Sequence, residues 1–195
     1  MANALLPRVW VHERSNEIGD AVETEQAALQ RLLKEQRRLT RWLEENAGNL
    51  EPASGGVAVY LFGVVARMFD LAGGRLRSAT WEQVREAEKR VGSAAPGLLP
   101  FDDGFSERVR GIDWRAQPHL LDEALMNLFD RDAAEEEADL SDTEAGKVFF
   151  LLWVATEVLD SNWKPGNRVK LESEYAFHYI DPNEDKDEGS GDAEA

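Results

Sequence analysis

The sequence contains no cysteine. That excludes disulfides, thiolate zinc sites and cysteine nucleophiles, and it fits a reducing compartment. Long apolar runs are also missing. VAVYLFGVVA, from Val57 to Ala66, stops at Arg67, and VFFLLWVA, from Val148 to Ala155, is shorter still, whereas a bilayer span needs roughly 20 such residues. Neither run is expected to cross a membrane, and no membrane partner is expected. The opening residues MANALLPRVWVHERSNE lack the basic start, apolar stretch and small-residue cleavage site of a secretory signal, so cytoplasmic residence is the expectation. The histidines His12, His119 and His178 occur singly, without HExxH or HxH spacing. No G-x-S-x-G elbow is present, and the Ser54-Gly55-Gly56 turn lacks the Gly-Lys-Ser/Thr ending of a phosphate loop. No cofactor is called for.

Positive charge is scarce. There are 22 Lys+Arg against 38 Asp+Glu, for a net charge of -16. The imbalance is local: residues 1–100 carry 13 against 13, residues 101–150 carry 5 against 14, and residues 181–195 carry 1 against 7. Such a surface repels nucleic-acid phosphates and speeds encounter with basic proteins. Direct nucleic-acid binding is disfavoured.

What is present is mostly helical periodicity. Residues 20–46 read as one long helix opened by Asp20, with Glu23 three residues on, and closed by Gly48. Its seam repeats in sevens through Ile18, Glu25, Leu32 and Leu39 and through Val22, Leu29, Gln36 and Leu43, with Gln36 a polar interruption. It suits antiparallel packing within the domain or self-association. The basic cluster Lys34, Arg37, Arg38 and Arg41 beside it reads as a solvated face. After the EPASGG connection, the segment from Val57 is apolar around its whole circumference and ends at Gly73-Gly74, which marks a buried central helix. Thr80 with Gln83 forms a capping box for a helix ending at Gly92. Residues 93–117 read as a loop that exposes Phe101, Phe105 and Trp114. Pro118 opens a helix to about Asp130 with Leu121, Leu125 and Leu128 on its core face. Ser141 with Glu144 caps a second all-round apolar helix, expected to pack on the first. Residues 168–180 alternate like a half-buried strand that could pair with Arg8–His12, although a helix suits them equally. The polar residues 181–195 read as a disordered acidic tail.

The expected architecture is therefore all-α: a five-helix bundle over residues 1–180 with two apolar central helices, followed by the tail. Asp181, Asn183, Asp185 and Asp192 have partial calcium-loop spacing, but Lys186 stands where that loop needs glycine and Glu188 stands at its usual apolar position. Glu136, Asp139 and Asp142 have the four-residue carboxylate spacing of helical magnesium phosphohydrolases, yet they fall in a polar, alanine-rich stretch where a solvated run is the commoner outcome. Among the tryptophans, Trp153 reads as core, Trp42 and Trp81 as core or rim, and Trp114 and Trp163 lie in loop contexts that would suit either partner anchors or lids over the core. The functional expectation is a non-enzymatic protein-binding module, such as an inhibitor, immunity protein, adaptor or regulatory subunit. It would engage a basic protein through Trp114, Asp132, Glu135, Glu136, Glu137, Asp139 and Asp142. The alternatives are a magnesium-dependent phosphohydrolase on Glu136–Asp142, or a homo-oligomer joined through the 20–46 helix.

Overall fold

The two apolar stretches form α4, Pro52–Leu71, and α8, Asp142–Asn162, which pack on each other at the centre of a computed structural model describing residues 3–129 and 140–166. Around them lie α1 (Arg8–Asp20), α2 (Val22–Glu35), α3 (Arg37–Ala47), α5 (Trp81–Leu98), α6 (Phe105–Arg110) and α7 (Pro118–Phe129). Helices α2 and α3 lean on α4, α5 and α7 lean on α8, and α1 packs against both α7 and α4. Two short strands, β1 (Arg75–Leu76) and β2 (Trp163–Lys164), pair antiparallel with Arg75 opposite Lys164 and Leu76 opposite Trp163. The all-α class holds, but the five expected helices are eight among the described residues.

The helix count rises for identifiable reasons. The long 20–46 helix is two helices broken at Gln36, whose backbone leaves the helical region at ψ 33. The polar interruption in the seam is the break itself. The Gln36 side chain is 2% exposed, donates to the Arg77 carbonyl (3.1 Å) and accepts from the Ala79 amide (3.1 Å), so the junction clasps the segment after β1. Thr40 Oγ1 donates to the Leu33 carbonyl (2.8 Å), satisfying an acceptor left over at the end of α2. Asp20 is the last residue of α1 rather than a cap, and Ala21 separates the two helices. The seam positions Ile18, Leu32, Leu39 and Leu43 are all buried within the chain's own core.

Other boundaries moved as well. Arg8–His12, a strand candidate, opens α1, with Trp10 and Val11 buried on one face. The EPASGG connection supplies the first turn of α4, where Pro52 stands at a position that needs no N–H. By length and composition α4 is a helix able to cross a membrane, with mean hydropathy 1.3, and 56% of that window is buried inside the bundle. Both its end at Gly73-Gly74 and the capping box at Thr80 and Gln83 are as expected. Gly92 does not end α5, which continues to Leu98 with Pro96 inside it, because Val91 and Leu98 keep its core face buried two turns apart. Gly74 has φ +91, and a Cβ there would lie 2.2 Å from the Lys164 carbonyl oxygen, so the β1–β2 contact requires glycine. The strand-like segment 168–180 and the tail 181–195, including its calcium-like spacing, lie outside the described residues.

Leu152 is fully buried in α8 and Leu61 nearly so in α4. Replacing either by Ala is expected to cost about 2–5 kcal/mol in denaturant unfolding, with Leu152 the larger. Gln36→Leu keeps the side chain's size but strands the Arg77 carbonyl and the Ala79 amide, and should cost about 1–3 kcal/mol in the same assay.

Candidate functional site

Trp114 sits on the loop between α6 and α7, half-buried, with its ring stacked on Trp153 at 5.1 Å between centroids. The Arg90 guanidinium covers it at 4.2 Å from the ring centroid, and Arg90 also donates to the Trp114 carbonyl (3.2 Å). Beneath this stack lies the buried carboxylate of Glu157. It accepts from Trp153 Nε1 (3.1 Å), the Ala116 amide (2.8 Å) and Arg90 (3.2 Å). One carboxylate thereby ties the loop to both α8 and α5. A concavity of about 260 Å³ opens beside it, lined by Gln83, Glu86, Arg90, Glu157 and Ser161 among others.

The other aromatics expected on this loop are also inside. Phe105 is fully buried and meets Phe101, Phe129, Phe149 and Phe150 at 5.1 to 5.8 Å. Trp163, the other loop tryptophan, is 2% exposed, donates to the Gly73 carbonyl (2.8 Å) and packs edge-on against Phe69. The lid reading therefore describes Trp163, and Trp114 is a lid whose outer face carries Arg90.

The acidic region forms a second concavity, of about 230 Å³, lined by Asp102, Asp103, Ser106, Glu107, Arg110, Phe129 and Asp142. Its carboxylates come from three places. Asp102 and Asp103 precede α6, Glu107 lies in the first turn of α6, and Asp142 opens α8 just after the cap Ser141, where a helix N-terminus favours negative charge. Arg108 donates to Asp102 (2.7 Å) and to the Leu98 carbonyl (2.8 Å), and it holds the Asp102 carboxyl below the usual aspartate range. The Ser141 hydroxyl accepts from the Glu144 amide (3.3 Å), but the Glu144 carboxylate turns away from its own cap to accept from Lys147 (2.6 Å) and the Glu51 amide (3.1 Å). Those two bonds, Lys147 first, hold its carboxyl below the usual range.

A third concavity, of about 290 Å³, lies between α1 and α7 and is lined by Arg8, His12, Arg110, His119, Asp122, Glu123 and Met126. His12 is held between Asn16, 3.3 Å from Nε2, and the Glu123 carboxylate, 3.2 Å from Nδ1. His119 Nδ1 donates to the Leu6 carbonyl (2.7 Å). Both histidines thus fasten the N-terminal segment to α7.

Of the residues singled out from sequence, Asp142 lies in the acidic concavity and Trp114 does not line it. Asp132, Glu135, Glu136, Glu137 and Asp139 lie outside the described residues. Asp102, Asp103 and Glu107 were not singled out, although the paired aspartates at the start of the acidic region were the available signal. Among the described residues, no group of three or more His, Asp or Glu side chains is placed to hold a metal ion. No protein-family model, curated protein or solved structure shows a significant match to the chain.

Glu157→Ala leaves two N–H donors and Arg90 without their acceptor, and is expected to destabilise by about 2–5 kcal/mol. Glu157→Gln, which retains one acceptor oxygen, should fall between it and the parent chain. Denaturant unfolding followed by tryptophan fluorescence checks both.

Proposed function

We propose that this protein is a non-enzymatic binding module that engages a basic surface of another protein, in the manner of an inhibitor, immunity protein, adaptor or regulatory subunit. The observation that carries this reading is the gathering of exposed Asp102, Asp103, Glu107 and Asp142 around one concavity with Arg110. Carboxylates fixed this way on helix starts and turns create a negative field without forming a metal cage, and such a field speeds association with cationic partners roughly 10- to 1,000-fold. The residues proposed for partner binding also include Asp132, Glu135, Glu136, Glu137 and Asp139, which lie between Phe129 and Asp142 in the sequence.

The test begins with capture from the native host at low salt, followed by binding kinetics on the recovered protein. Changing Asp103, Glu107 and Asp142 to their amides should slow association and flatten its salt dependence, because steering is screened beyond about 8 Å at physiological ionic strength. The same substitutions at Asp132, Glu135, Glu136 and Glu137 should act in the same direction. Dissociation should change little. An acidic partner, or an association rate indifferent to both salt and these amides, overturns the proposal.

A further inference from the structure

A second charged surface, of opposite sign, surrounds the β1–β2 ladder. Arg75 and Lys164 stand directly opposite each other across the ladder, both exposed. Like charges in that position repel. Arg77, two residues along and also exposed, shares the face of Arg75, while Leu76 between them is turned over Trp163. The segment that follows is clasped to the α2–α3 junction by Gln36 and by Ser78 Oγ, which donates to the Glu35 carbonyl (2.9 Å). That contact brings exposed Lys34 and Arg37 to the same corner. The nearest acid in sequence, Glu35, is engaged by Arg31 (3.4 Å). Among the described residues, none of Lys34, Arg37, Arg75, Arg77 and Lys164 makes an ion pair.

The chain itself supplies the complementary charge beside this corner. Gly166, two residues past Lys164, lies against Gly74 at the edge of the ladder. Residues 167–180 follow, and then 181–195 with 7 Asp+Glu against 1 Lys. A link of that length spans at most about 50 Å, so the corner is within reach of the acidic segment, at an effective concentration on the order of millimolar.

We propose that the acidic segment 181–195 docks in cis on the basic corner formed by Lys34, Arg37, Arg75, Arg77 and Lys164. It relieves the cross-strand repulsion there and covers a cluster of cations that make no ion pair among the described residues. Free polyanions are thereby kept off that corner.

The absence of cysteine makes the test direct, because a nitroxide placed on Gly189→Cys in the full chain is the single label. At about 0.01 M salt, where the screening length is roughly 30 Å, the label should erase the amide signals of Arg37, Arg75, Arg77 and Lys164 and spare those of Glu107 in the acidic concavity. At about 1 M salt, where that length is roughly 3 Å, the signals should return. Arg75→Glu with Arg77→Glu should abolish the effect, as should the separate pair Lys34→Glu with Arg37→Glu on another element. Uniform broadening, no broadening, or broadening that survives both reversals overturns the proposal. So does broadening seen only when labelled chain is mixed with unlabelled isotope-enriched chain, since the occupant would then be a second copy. No partner protein is added, so the outcome is independent of the proposed function.

Discussion

A central helix takes the polar side chains of its inner faces out of water, and each then needs a partner from the rest of the chain. This constraint, acting on α8, organises the bundle. Glu144 near its start accepts the Glu51 amide at the entrance to α4. Glu157 accepts the Ala116 amide ahead of α7. Asp160 accepts from Gln117, whose side-chain oxygen in turn takes the Leu6 amide ahead of α1. Asn162 accepts from Arg77 through its carbonyl and from Gln83 at the start of α5 through its side chain. The polar residues of one apolar helix thereby set where four other helices begin. Gln117 is the most constrained of these partners. It adopts φ 47, a conformation that non-glycine residues enter at a cost of about 1–3 kcal/mol, and its three side-chain hydrogen bonds hold it there.

Much of this was legible in the sequence wherever one local signal settled the outcome. The all-round apolar character of α4 and α8 identified the centre, and Thr80 with Gln83 and Pro118 located two helix starts because capping chemistry involves only neighbours. Ser141 marked a third start, but the Glu144 half of its box went to a distant amide, which no spacing rule contains. The same limit explains the larger differences. Gln36 in an apolar seam was visible as an anomaly, but that it breaks the helix depends on Arg77 and Ala79 being there to meet it. Arg8–His12 alternates like a strand, yet α1 forms because Trp10 and Val11 find a helical packing face. Pro96 and Gly92 would stop an isolated helix. Burial of Val91 and Leu98 carries α5 past both.

The charge distribution was legible in amount and not in arrangement. The excess of acid between residues 101 and 150 is a matter of counting, whereas the meeting of Asp102, Asp103 and Glu107 with Asp142 depends on α6 folding back beside the start of α8 through Phe105 and its aromatic neighbours. Residues 1–100 are neutral by count, and the same folding brings Lys34, Arg37, Arg75 and Arg77 from among them to the β1–β2 corner. A neutral stretch of sequence has become a charged place on the surface.

The position of α8 in chain order also bears on biosynthesis. Among the described residues, four of the helices before α8 depend for their anchoring on acceptors between Glu144 and Asn162. Contacts of such sequence separation slow folding. A nascent chain emerging at roughly 5–20 residues per second therefore exposes the apolar faces of α4 and α7 until α8 has left the ribosome. The bundle therefore cannot close before α8 has emerged, and until then those apolar faces are what a chaperone would bind.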